Sequence, residues 1–252
     1  MFTIKISKSL IKKSKRYCTK IQYISDLHVD EKIFIPNIMP KSDYLCIAGD
    51  IGVPTHPNYN KLLNDVSNKF KKVFIVAGNH EYGLSPLYDE SAILKYQPLL
   101  KEVCSNYNNI YLLDNSFYQL TDSTIIAGTT LWSNLVYVSK KYPNNVNYIN
   151  HIKIFNKNIN WINHICRNHK RIIMMTHFVP SFQLIEQHYK NKGPGRNDWF
   201  ASDLEFLIKP PITSWISGHT HSVLDRKING IYCGINALGH SMNVQYKFVD
   251  IE

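Results

Sequence analysis

Five times along this chain a short apolar run ends on a cluster of polar residues, and the same few residue types recur in those clusters. Residues 21–25 lead into Asp26-Leu27-His28, residues 44–48 into Gly49-Asp50, and residues 72–77 into Gly78-Asn79-His80-Glu81. Residues 171–176 lead into His177, and residues 213–217 into Gly218-His219-Thr220-His221. Open α/β sheets place their ligands beyond the carboxyl ends of their strands. Turn formation alone does not call for Asp, His and Asn together, so the five clusters point to one shared site.

Further strands are expected over residues 110–113, 124–128, 223–228, 231–234 and 246–250. Between the apolar runs, Leu62, Leu63, Val66 and Phe70 fall at helical spacing, and Ile152, Phe155, Ile159, Ile162 and Cys166 repeat every three or four residues. Ser202 followed by Glu205 reads as a capping box opening a short helix that Pro210 and Pro211 stop. The class is α/β with a layered sheet core. Residues 129–150 and 178–201, with Pro, Gly and aromatic residues, are expected to be loops that shape a substrate pocket.

The chain has 252 residues, 44% of them hydrophobic and 19% charged, which suits one large globular domain. No apolar run approaches the roughly 18 to 20 residues a membrane span requires. Cys18, Cys46, Cys104, Cys166 and Cys233 are scattered and odd in number, which predicts reduced thiols and a cytoplasmic, intracellular location rather than disulfides or a thiolate zinc site. The net charge of +10 is unevenly spread: Lys5, Lys8, Lys12, Lys13, Lys15, Arg16 and Lys20 carry seven of the charges with no acid among residues 1–20. Residues 1–20 are therefore set apart as a basic extension, suited to an anionic partner or to self-association, and residues 21–252 as the folded domain. Within the extension, Phe2, Ile4 and Ile6 alternate with polar residues as in a strand.

Asp26 and His28 sit two apart at a strand end, and so do His219 and His221. In extended backbone, residues at that spacing point the same way and can reach one ion. Carboxylate, amide and imidazole donors without thiolate suit Mn, Fe, Zn, Ni or Co.

The succession D-x-H, G-D, G-N-H-E, a lone His and G-H-x-H resembles the signature of the calcineurin-like metallophosphoesterases, and it spans Asp26 to His221. The resemblance implies an α/β/β/α sandwich with a dinuclear site at the strand ends. It implies that Asp26, His28, Asp50 and His221 hold one ion and that Asp50, Asn79, His177 and His219 hold the other, with Asp50 bridging; of the candidate metals, manganese is favoured. It further implies hydrolysis of a phosphomonoester or phosphodiester by a hydroxide bridging the two ions. His80, which that pattern leaves without an ion, is assigned to the leaving group, and orientation of Asp50 is its alternative role. Asn79 and His80 are also the candidate substrate-binding residues, whereas Glu81 and Thr220 are expected to support the site.

The phosphate-gripping Arg of the serine/threonine protein phosphatases, in G-D-x-x-D-R-G, has no counterpart in Gly49-Asp50-Ile51-Gly52-Val53-Pro54. The chain is more similar to the small phosphoesterases of bacteria and large DNA viruses. A nuclease and an inactive metal-binding scaffold are the alternative functions.

Overall fold

A computed structural model describes residues 19–83, 85–187 and 197–252. The strand-like alternation at Phe2, Ile4 and Ile6 lies outside the described residues. In order, the chain forms β1 (Lys20–Ile24), β2 (Tyr44–Ala48), α1 (Pro57–Lys69), β3 (Lys72–Val76), α2 (Glu90–Ser105), β4 (Ile110–Leu112) and β5 (Ser116–Gln119). It continues through β6 (Thr124–Thr129), α3 (Val136–Lys141), α4 (Val146–Asn168), β7 (Arg171–Thr176) and β8 (Ile212–Ser217). A hairpin of β9 (Val223–Ile228) and β10 (Ile231–Asn236) follows, and then β11 (Lys247–Asp250).

One sheet has the order β11-β1-β2-β3-β4 and the other β5-β6-β7-β8-β10-β9. β1 to β4 are parallel to one another, as are β6, β7, β8 and β10, whereas β11, β5 and β9 are antiparallel additions at the edges. The two sheets face each other through Tyr23, Cys46, Phe74, Val76, Ile126, Ile173, Met175 and Ile216. The opposite face of the first sheet, with Leu45, Ile47, Val73 and Ile75, packs on Leu62, Leu63 and Val66 of α1 and Leu100 and Cys104 of α2. Ile125, Ile172, Met174 and Trp215 of the second sheet pack on Phe155, Ile162 and Ile165 of α4. The result is the expected α/β/β/α sandwich. Both faces of each central strand are buried, which is why these strands read as unbroken apolar runs instead of alternating ones.

The strands match the sequence expectation to within one or two residues at their ends. α2 and β5 have no counterpart in it. Pro98 sits inside α2 and interrupts the pattern that would reveal it, and β5 is a half-exposed edge strand without an apolar run. Residues 129–150 are not simply loop, because they contain α3 and the first turn of α4, capped by Asn145 Oδ1 accepting from the backbone of Asn147 at 3.0 Å and Tyr148 at 3.3 Å. The expected capping box is absent. Ser202 Oγ accepts from the Asn134 amide at 2.8 Å instead, and Glu205 accepts from Ser181 Oγ at 2.6 Å and Gln183 Nε2 at 3.0 Å. Only a single 3-10 turn, Glu205–Leu207, forms there.

The buried stripe of α4 is His151, Phe155, Asn158, Ile162 and Ile165, displaced from the apolar pattern because two of its members are polar. Asn158 Nδ2 donates to Asn115 Oδ1 at 3.0 Å. His151 Nε2 lies 2.8 Å from the Ser133 carbonyl, to which it must donate, and Nδ1 accepts from the Tyr88 amide at 3.0 Å. The imidazole is thus held neutral, and burial lowers its pKa to about 4 from 6.5. Its contribution to stability is complete above the unfolded value and is lost as pH falls from about 6.5 towards 4. We expect His151 to account for roughly 3 kcal/mol of acid destabilisation over that window. Urea unfolding at several pH values should show the slope, and His151→Gln, which lacks the titrating ring, should flatten it.

Candidate active site

The site forms where the parallel strands of both sheets end on the same side. Asp26 and His28 follow β1, Asp50 follows β2, Asn79 and His80 follow β3, His177 follows β7, and His219 and His221 follow β8. Their side chains form three interlocking groups whose potential ligand atoms lie within 4.8 Å of one another: Asp26, His28 and His221; His28, Asp50 and His80; Asp50, His177 and His219. Asp50 and His28 belong to two groups each and join the set into one continuous site. Buried Asn79 lines the adjacent cavity together with Asp50, His80, His219 and His221.

The convergence does not arise from extended backbone. Asp26, His28, Asp50, His219 and His221 have φ of 54°, 42°, 54°, 68° and 52°, all left-handed. For residues other than glycine each such conformation costs on the order of 1 kcal/mol, and such strain concentrates at functional sites. The backbone is held by Asp26 N–H to the Gly49 carbonyl at 3.0 Å, by Leu27 and His28 N–H to the Asp50 carbonyl at 2.7 and 3.1 Å, and by Gly218 N–H to the His177 carbonyl at 3.0 Å. Of the two pairs of residues two apart, Asp26 and His28 stay together with His221, whereas His219 joins His177 and Asp50. Gly78 is required by a close approach, since a Cβ there would lie 2.7 Å from the Asp50 nitrogen and would also collide with its carboxylate.

Glu81 fixes the turn that carries Asp50. Its carboxylate accepts from the amides of Gly78 at 2.7 Å, Asp50 at 3.0 Å and Ile51 at 2.7 Å, which ties the ends of β2 and β3 together. Burial, and then the Asp50 charge, raise its pKa to about 8. Asp26 accepts the His219 amide at 2.9 Å and the Ser25 hydroxyl at 2.5 Å.

Proton accounting tests whether these residues suit a cation. His177 Nδ1 is 2.9 Å from the Ala48 carbonyl and His219 Nε2 is 3.2 Å from the Trp199 carbonyl, so those nitrogens carry hydrogen. Each contact fixes the tautomer that leaves the other nitrogen as a donor pair for a metal. His177 Nε2 and His219 Nδ1 then face each other at 3.1 Å, and His177 Nε2 is also 3.1 Å from Asp50 Oδ2. With a neutral His177 three lone pairs would converge, so a positive charge is needed there, a proton on His177 Nε2 or a metal ion in its place. Burial lowers the His177 pKa, but Asp50 outweighs it and raises the value to about 9, whereas burial lowers His219 to about 3. In the second group His28 Nε2 faces His221 Nε2 at 3.0 Å, and His28 Nδ1 is buried without a partner. The donor set fits divalent cations.

A cavity of about 720 Å³ opens onto the site, with Val53, Pro86, Ile185 and Phe200 as apolar walls. Ile185 and Phe200 come from the segment 178–201 expected to shape the pocket, whereas no described residue of 129–150 lines it. Sequence reasoning missed Phe200, whose ring lies 5.3 Å from that of His219, and the Trp199 carbonyl that orients His219. A backbone carbonyl leaves no trace in residue type. Of the described cysteines, Cys46, Cys104, Cys166 and Cys233 are free thiols. No described helix is long and apolar enough to cross a membrane.

Comparison with known proteins agrees with this geometry. The family model for calcineurin-like phosphoesterases matches residues 19–223, and the chain belongs to that family. It is therefore a metal-dependent phosphoester hydrolase. In sequence it is 30% identical over 275 residues to protein L509 of Acanthamoeba polyphaga mimivirus, covering 92% of this chain and 96% of that one. In structure it is similar to the phosphopantetheinyl hydrolase of Mycobacterium tuberculosis, with TM-score 0.59 at 15% identity and coverage of 92% and 96%. It is also similar to TT1561 of Thermus thermophilus, with TM-score 0.51 at 10% identity and coverage of 93% and 100%. At such low identity these two structures speak to the fold alone.

Proposed function

We propose that the chain hydrolyses a phosphomonoester or phosphodiester at a dinuclear centre, with Asp26, His28, Asp50 and His221 holding one divalent ion and Asp50, Asn79, His177 and His219 the other. Manganese is the favoured metal. When bound, such ions make a water acidic and neutralise charge on the phosphoryl oxygens. The observation that carries the reading is the pair of facing imidazole couples at 3.0 and 3.1 Å, each completed by an aspartate, with Asp50 between them.

The chain's own groups divide the remaining work. Glu81 keeps the Asp50 turn rigid through three amides, and the carbonyls of Ala48 and Trp199 hold His177 and His219 in the tautomers that ligation needs. Asn79 and His80 face the cavity where the ester would lie. His80 donates a proton to the departing oxygen or stabilises its developing charge. The apolar walls exclude water and receive the organic part of the ester. Residues 1–20 act as a basic extension to the domain of residues 21–252 and contact an anionic partner or a second subunit.

An aryl phosphomonoester and an aryl phosphodiester, each assayed with Mn, Fe, Zn, Ni and Co, test the reading. Turnover of at least one ester by the reconstituted protein, highest with Mn, is the expected result. A folded, metal-loaded protein that hydrolyses neither would overturn it and favour the scaffold function.

A further inference from the structure

We propose that the surface of α3 and the first half of α4, continuing through Trp199 and Phe200 into the cavity, binds single-stranded nucleic acid and leads one of its phosphodiesters to the site. This names a substrate class for the hydrolysis proposed above and rests on that reading. The charge distribution comes first. Between Asp122 and Glu186 the sequence has no acidic residue, yet it has seven basic ones. Lys140, Lys141, Lys153, Lys157, Arg167 and Lys170 are exposed on α3, α4 and the turn after α4. None of the six forms an ion pair with an acid of the described residues. Uncompensated cations in such number attract a polyanion, and Lys140 and Lys141 are the two that adjoin the proposed surface's aromatic rings.

Beside Lys141 begins a row of aromatic rings that runs towards the site. Tyr142 stacks with Tyr148 at 5.8 Å between ring centroids, Tyr148 meets Trp199 at 6.2 Å, and Phe200 lies 5.3 Å from His219. The Trp199 carbonyl also accepts the His219 ring proton, so the end of the row is bonded to a candidate metal ligand. Tyr142 is 48% exposed and Lys141 lies over its ring, 5.7 Å from the centroid. Accessible rings interleaved with cations are the means by which proteins hold unpaired strands: bases stack on the rings and phosphates meet the cations. A duplex would keep its bases stacked on each other and leave the rings unused. Hydrolysis there exchanges one P–O bond for another: water supplies the hydroxyl that ends on phosphorus, and its proton ends on the leaving oxygen.

Fluorescence anisotropy of a short labelled oligothymidylate with the full-length, metal-loaded protein tests this, using the wild type as reference. We expect salt-sensitive binding that Tyr142→Ala and Tyr148→Ala each weaken roughly 5- to 100-fold. Replacing Lys140 and Lys141 together by Ala should reduce the slope of log affinity against log salt by about 1.4. Turnover of an aryl ester should be unchanged in all three variants, which also shows that they are folded. Absent binding, or binding that survives these substitutions and is lost only on deleting residues 1–18, overturns the proposal. Absent binding together with self-association that Tyr142→Ala abolishes overturns it too and gives the face to a second copy of the chain. Oligonucleotide binding without any ester turnover would instead count against the hydrolytic function and leave the surface standing.

Discussion

Asp50→Asn should abolish turnover of every ester and deplete the protein of metal. Asp50 is buried, its Oδ2 lies 3.1 Å from His177 Nε2, its Oδ1 accepts the His80 amide at 2.9 Å, and it belongs to two of the three ligand groups. Burial opposes its ionisation, but the neighbouring His177 outweighs that and holds its carboxyl far below the usual range. Asparagine keeps the shape and removes the charge from both halves of the site at once. Outer-sphere partners of metal ligands already cost ~10- to 100-fold in metal affinity when lost, so removal of a shared charge should exceed ~10²-fold. Elemental analysis after gel filtration gives the metal content, and circular dichroism checks the fold. A variant that keeps two ions per chain and wild-type turnover would remove Asp50 from the centre.

His80→Ala should have a narrower effect, governed by the leaving group. The His80 side chain lines the cavity and its ring lies 4.5 Å from that of His28, while its main-chain amide holds Asp50. Alanine keeps the amide and loses the ring. If the ring assists the departing oxygen, esters with alkyl-like leaving groups should slow by ~10²- to 10⁴-fold, and nitrophenyl esters much less. Metal content should stay near wild type. Because a His80 nitrogen also comes within 4.8 Å of ligand atoms of His28 and Asp50, metal analysis carries a second question. Equal losses for all leaving groups with metal retained would assign His80 to orienting Asp50 or positioning phosphate, and loss of an ion would make it a ligand.

Much of this architecture was legible in the order of residues. The apolar runs at residues 44–48, 72–77 and 171–176 mark central strands because a strand buried on both faces has little choice but to be apolar. The residues gathered at the site were legible too, since Asp26, His28, Asp50, Asn79, His177, His219 and His221 all follow such runs and sheet topology brings parallel strand ends to one side. α2 was hidden by Pro98, and the buried stripe of α4 by His151 and Asn158, polar residues whose burial depends on partners distant in sequence. Ser202 and Glu205 had the right spacing for a cap, but Asn134, Ser181 and Gln183 claimed their side chains.

By itself, then, the sequence determined every strand but β5, the layered class and the roster of side chains at the strand ends, because all three follow from local pattern and from a topology that parallel strands impose. The tertiary structure supplied the backbone geometry beneath the grouping of those side chains that the resemblance implied. His219 and His221 both adopt left-handed backbone, as do Asp26 and His28, which stay together; what separates His219 towards His177 and Asp50 from His221 towards Asp26 and His28 is how the strand ends of the two sheets meet. The tautomers of His177 and His219 were likewise decided by the carbonyls of Ala48 and Trp199, which are 129 and 20 residues away along the chain and within hydrogen-bond reach only in the fold. Backbone acceptors are common to every residue, so their identity resides in distance alone.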